Sequence, residues 1–146
     1  MLLAVVVAIG FVAAESASAT RGKSHSPRIP VSTRAALLKA AIAIATVHGD
    51  KHPHDIEAVR TTHREAERIL DSGGELYVVP PSAPVYVVAM RGNFNCNRCS
   101  HPAGRSFKPA KVITLQFLNP SDLRNVVFGY GAPYPNLKAG GTPVRL

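Results

Sequence analysis

The sequence predicts an α+β domain: one long and one short helix packed on a mainly antiparallel sheet of three or four strands. Three patterns carry this expectation. Residues 85–90 are apolar on both alternating faces, with Val85, Val87 and Ala89 against Tyr86, Val88 and Met90. A strand covered on both sides is central in its sheet. Residues 112–118 alternate, with Ile113, Leu115 and Phe117 on one side and Thr114 and Gln116 on the other, the pattern of a half-buried antiparallel strand. Turn residues Asn119, Pro120, Ser121 and Asp122 follow, so residues 124–130 can return as a hairpin.

The elements follow in chain order. Residues 1–19 read as a secretory signal: 2–14 are uninterruptedly apolar, and Ala17-Ser18-Ala19 is a small-x-small site, which places cleavage before Thr20. No Lys or Arg precedes Leu2, so the amino terminus alone supplies the positive n-region. The apolar run is too short to span a bilayer comfortably, and no transmembrane span is expected after cleavage. Residues 20–30 are polar, basic and proline-containing, a flexible linker. A single domain then occupies 31–146.

Ser32 or Thr33 can cap a helix running to His48. Its apolar residues Leu37, Leu38, Ala41, Ile42, Ile44 and Ala45 cover more than one face, so it should be largely buried against the sheet. Gly49 suits the position that ends it. A turn with His48, His52 and His54 follows; Pro53 interrupts any regular ligand spacing, and solvated histidines are expected. Residues 55–61 form a short strand with Ile56 and Ala58 on one face. Thr62 and Glu65 fit a capping box at the head of a short helix whose buried stripe is Ala66, Ile69 and Leu70. Gly73 and Gly74 stop that helix. Residues 75–83 are a loop, with an extended piece at 76–79. The tail from Gly131 is rich in proline and glycine and should be irregular, with Leu137, Val144 and Leu146 tucked against the domain. Leu38, Ile42, Val87, Ile113 and Leu115 are the expected core.

Composition bounds function. With 46% hydrophobic and 18% charged residues, the chain can bury one core. A net charge of +8 and a pI near 10 favour contact with anionic surfaces. The basic residues are scattered from Arg21 to Arg145 without a run of five, so they form a solvated basic surface and no specific nucleic-acid site is expected. There is no GxSxG, HExxH or glycine-rich phosphate loop, and the carboxylates show no pairing that marks a catalytic dyad. Neither a catalytic residue nor a cofactor is therefore assigned.

One motif carries possible chemistry. Cys96-Asn97-Arg98-Cys99 sits in the loop after the central strand, with His101 beside it. In an exported chain two cysteines pair by default, so a Cys96–Cys99 disulfide is the first reading. Zinc is the second, because two thiolates and His101 supply three ligands and the His48–His54 turn could supply a fourth. Thiol redox chemistry is the third, although Ser100-His101-Pro102 does not begin the helix that usually lowers a reactive thiol's pKa. Covalent haem needs CxxCH, and Ser100 intervenes. Arg91, Arg98 and Arg105 flank this loop.

The succession of apolar helix, His48-Gly49, Pro53, Thr61-Thr62, a short helix, Pro84 through Gly92, Phe94 and Val112 to Leu115 resembles a group of short exported bacterial proteins of unknown function. Val127-Phe128-Gly129 and Pro135-Asn136-Leu137 extend that resemblance, which covers about residues 31–146. The strand-turn-strand at 113–128 is also loosely similar to the hairpin of PepSY-type domains. The first resemblance implies no activity; the second implies regulation of secreted proteases or binding at the envelope. The expected function is a non-enzymatic, monomeric, exported module that binds or inhibits a protein, or meets an anionic polymer, at the cell envelope. The alternative is a small metal- or thiol-dependent envelope protein acting through Cys96, Cys99 and His101.

Overall fold

The computed structural model describes residues 28–70, 79–95, 108–123, 126–131 and 133–146. The signal segment, residues 20–27 of the linker, residues 76–78 of the expected extended piece and the cysteine loop lie outside the described residues. The architecture is α+β, and its described elements are helix α1 (Val31–Val47), strand β1 (His54–Thr62), helix α2 (His63–Leu70), strands β2 (Pro84–Phe94), β3 (Ala110–Phe117) and β4 (Val126–Gly131), a 3-10 turn at Leu137–Ala139, and strand β5 (Val144–Arg145). The strands make one antiparallel sheet in the order β4-β3-β2-β1-β5. That is one strand more than the three or four expected. The addition comes from the tail expected to be irregular: Val144 pairs with Ala58 and Arg145 with Glu57. Apolar Val144 and the free edge of β1 supply what such a short strand needs, and Leu146 N–H donates to Ile56 O.

The sheet is the middle of three layers. α1 covers one face, where Leu37, Ala41 and Ala45 pack on Ala58, Val88, Met90, Ile113 and Leu115. α2 and the 3-10 turn cover the other, where Ala66 and Leu137 meet Val59, Val85, Val87 and Ala89. β2 is central and buried on both faces from Val85 to Met90, as its unbroken apolar run requires.

Four expectations are corrected. α1 starts after Pro30 with no side-chain cap, so Ser32 and Thr33 lie inside its first turn. Proline at that position sets the backbone dihedral for helix entry without needing a hydroxyl cap. The domain also reaches into the expected linker, because Ile29 is buried in the core and its carbonyl accepts from Arg34 Nε at 3.0 Å. α1 is not largely buried: its fully covered positions are Leu37, Ala41 and Ala45, one stripe at i, i+4 spacing, while Leu38 is half-buried and Ile42 is exposed. A helix lying on a sheet covers only the stripe that touches it. Finally, Thr114 and Gln116 do not face solvent; they are 8% and 2% exposed, because α2 and its neighbours roof their side of β3. The expected core residues Val87, Ile113 and Leu115 are fully buried.

Two bulges shape the strand ends. β1 carries an extra residue between His54 and Glu57, where Asp55 takes φ +48°, and β2 carries one between Arg91 and Phe94. At the second bulge, the Asp50 carboxylate accepts the N–H of Asn93 at 2.6 Å and that of His52 at 2.7 Å. Those bonds fix the histidine turn to the end of β2.

Candidate functional site

Two grooves of about 450 Å³ each lie on opposite faces of the sheet. The first is apolar. It runs between the C-terminal half of α1 and the turn after β3, lined by Ala40, Ala43, Ile44, Val47, Leu123 and Val126. Leu123 holds φ +53°, an unfavourable backbone conformation for a branched residue. Strain of this kind costs on the order of 1 kcal/mol or more and clusters at functional sites. His48 closes one end of the groove. Its Nδ1 shares a hydrogen bond with the Tyr130 hydroxyl, and the two rings meet edge to face with centroids 5.5 Å apart. Burial raises the Tyr130 pKa above its ordinary 10.0, so the hydroxyl keeps its proton at neutral pH. His48 is thus a bonded, half-buried residue rather than a solvated one.

Val47 carries this apolar surface onto the outer side of α1. Among the described residues the exposed large hydrophobics are Val31, Ile42 and Val47, all on α1, with Val31 and Val47 more than three-quarters exposed. Lys39 is the one charged residue among the exposed positions of the helix, and the helix has no carboxylate.

The second groove has a mixed lining. It lies where the end of β1, the head of α2, the turn before β2 and the 3-10 turn converge, and Arg60, Thr61, Thr62, Ser82 and Lys138 supply its polar lining. The capping box is half formed. Glu65 N–H donates to Thr62 Oγ1 at 3.4 Å, while the Glu65 carboxylate bonds Arg68 at 3.0 Å.

A charged cluster lies beside the β1 bulge. Asp55 stands between Arg91 (3.7 Å) and Arg145 (3.5 Å), and Arg91 stacks 4.8 Å from the centre of the Tyr134 ring. The Tyr134 hydroxyl donates toward Asp55 O at 2.8 Å, with Ala89 O at 3.1 Å. Burial, reinforced by the nearby Glu57 charge, raises the Tyr134 pKa well above 10.0. Arg91, which flanks the cysteine loop in the sequence, is engaged here by Asp55 and Tyr134. This cluster ties the tail to the sheet.

Sequence reasoning missed one buried polar pair. Gln116 Nε2 donates to His63 Nδ1 at 2.7 Å, and His63 Nε2 lies 3.2 Å from Glu67 Oε1. Glutamine on a strand read as half-exposed gave no sign of it. The His63–Glu67 spacing at i, i+4 was the only available signal.

Cys96, Cys99 and His101 lie outside the described residues. The ends of their loop are placed: Phe94 pairs with Ala110, and Asn95 N–H donates to His48 O at 2.7 Å. The described part of the His48–His54 turn holds no metal cluster, and no group of three His, Cys, Asp or Glu suited to a metal occurs among the described residues. Among the described residues no helix is long and apolar enough to cross a membrane. No protein-family model, curated protein or solved structure matches the chain.

Proposed function

We propose that the chain is a non-enzymatic exported module that binds, and thereby inhibits or tethers, a protein partner at the cell envelope through the outer face of α1 and the apolar groove beside it. One observation carries the reading: Val47, an exposed large hydrophobic, stands on the wall of an apolar groove that a strained Leu123 helps to shape. Exposed apolar surface concentrated in one place marks an interaction site. The partner's chemistry follows from charge. An apolar ridge would enter between Ile44, Val47 and Leu123, and a carboxylate would meet Lys39, the lone charge of the exposed face. A second copy of the chain fits poorly, because Lys39 is the midpoint of Val31–Val47 and antiparallel pairing would set Lys39 against Lys39.

The test uses the mature protein carrying a photo-crosslinker in place of the exposed Ala43. The captured envelope protein is purified, and its affinity is measured by calorimetry against wild type, Val47→Asp and Lys39→Glu. Burying one valine side chain at an interface is worth about 1.5–3 kcal/mol, so Val47→Asp should weaken binding by about tenfold or more. Unchanged affinity for both variants, each with wild-type melting temperature, refutes the assignment of this face.

A further inference from the structure

We propose that an extended segment of the protein partner, which rests on the protein-binding reading above, adds to the outer edge of β4 as a further antiparallel strand and lays alternate side chains at the apolar groove. The sheet has an edge at each end of its strand order. At one end the chain's own tail closes the edge: β5 pairs with Glu57 and Ala58, and Leu146 N–H donates to Ile56 O. At the other end, among the described residues, β4 has β3 on one side and no strand on the other.

β4 carries none of the devices that keep an edge from pairing. Val126–Gly131 contains no proline and no charged residue. It pairs residue for residue with Phe117 back to Val112, without a bulge, so its ladder is regular. Natural sheets blunt their edges with lysine, proline or a bulge, and an edge without them is a template for another strand. In an antiparallel pair every second residue turns its N–H and C=O away from its neighbour, so the backbone from Val126 to Gly129 presents a row of outward groups. An extended peptide matches such a row group for group, which is the chemistry of strand addition.

The two faces of β4 specify the segment's side chains. Val126 stands opposite Phe117 and Tyr130 opposite Ile113, so both belong to the α1 face, where Val126 lines the groove with Ile44, Val47 and Leu123. A strand beside Val126 brings every second side chain to that face, at the mouth of the groove. On the other face Gly129 stands opposite Thr114 and Gly131 opposite Val112, and a Cβ at either glycine would meet nothing within 4 Å. A large side chain of the added strand, an aromatic above all, can lie across that open backbone. The recognised element is therefore an extended segment with apolar residues toward α1 and an aromatic residue toward the glycines.

A second copy of the chain is a poor occupant. Two β4 edges joined antiparallel are related by a dyad normal to the sheet, which sets the two grooves side by side on one face, with nothing to fill either. Each copy also carries a net charge of +8, whereas a neutral or acidic segment is drawn to that charge.

The probe is an acetylated, amidated peptide in which valine alternates with threonine, one central threonine is replaced by phenylalanine, and a glutamate closes each end. It is titrated into the ¹⁵N-labelled mature protein and followed by NMR. Shifts from Val126 to Gly129 are expected, with Hα–Hα contacts between peptide and β4. N-methylation of the peptide, one position at a time, should weaken binding by about tenfold at every second residue and leave the others unchanged. Returning the phenylalanine to threonine should weaken it by about fivefold. Binding with this period that is indifferent to Val47→Asp supports strand addition and removes the α1 face from the protein-binding reading. Binding that is lost in Val47→Asp but tolerates N-methylation everywhere overturns strand addition and leaves that face standing. Absence of shifts from Val126 to Gly129 at about millimolar peptide also overturns it, as does a dimer in which Hα–Hα contacts join β4 to β4.

Discussion

Replacing His63 and Gln116 by leucine, singly and together, tests whether α2 is anchored to the sheet by a buried polar bond. Gln116 is 2% exposed and His63 7%, and the amide lies 2.7 Å from the ring nitrogen. In His63→Leu the Gln116 amide keeps its buried N–H without a partner. In Gln116→Leu the ring nitrogen is orphaned in the same way. Each orphan costs about 1–3 kcal/mol, whereas replacing both partners by apolar groups is close to neutral. The double variant should therefore lose at least about 2 kcal/mol less than the sum of the singles. For a domain of this size each kcal/mol corresponds to roughly 3–5 °C in melting temperature. Urea unfolding followed by circular dichroism gives all four corners of the cycle. Additivity within about 0.3 kcal/mol would mean that the bond contributes nothing coupled. The apolar contacts of Ala66 and Ile69 would then be the whole anchor of α2.

Four further outcomes are expected. Leu115→Ala, at a fully buried position, should cost about 2–5 kcal/mol, while Ile42→Ala on the open side of α1 should cost less than about 1 kcal/mol; urea melts compare them. Gly92→Ala should destabilise by about 1–3 kcal/mol, because its Cβ would stand 2.3 Å from Asp50 Oδ2 and 2.5 Å from the buried Phe94 ring; the melting temperature reports it. Tyr134 has a raised folded-state pKa, so the stability it contributes is fully present below pH 10 and is lost as pH rises toward the folded value; Tyr134→Phe should be less stable at pH 8 and flatten the decline above pH 10 in thermal melts. Ellman titration of denatured, unreduced mature protein should find no free thiol, and two thiols with bound zinc would replace the Cys96–Cys99 disulfide by a metal site.

The strands were legible in the sequence where burial and period coincide. Val85 to Met90 could only be a central strand, since both of its faces are apolar. Ile113, Leu115 and Phe117 marked the α1 side of β3 by simple alternation. What alternation cannot report is a second cover. Thr114 and Gln116 read as solvent-facing because polarity was the only signal; α2 places His63 over Gln116, and a polar side chain is buried without penalty once its partner is supplied. α1 shows the converse. Its apolar residues predicted burial on several sides, yet a helix on a sheet has one contact stripe, and only tertiary packing shows that Val31, Ile42 and Val47 lie outside it.

The sequence by itself determined the α+β class, the central strand, the main hairpin, both ends of the long helix and the start of the short one to within a few residues, because periodicity and turn chemistry act over a few neighbouring positions. Tertiary structure alone decided both grooves. Thr61 meets Gly140, and Ile44 shares a groove with Leu123 and Val126, across separations of roughly 80 residues that no local pattern encodes. The fifth strand belongs to the same category. Val144 and Arg145 become a strand only because β1 offers them an open edge, and backbone donors and acceptors at such an edge take whatever segment the folded chain brings there.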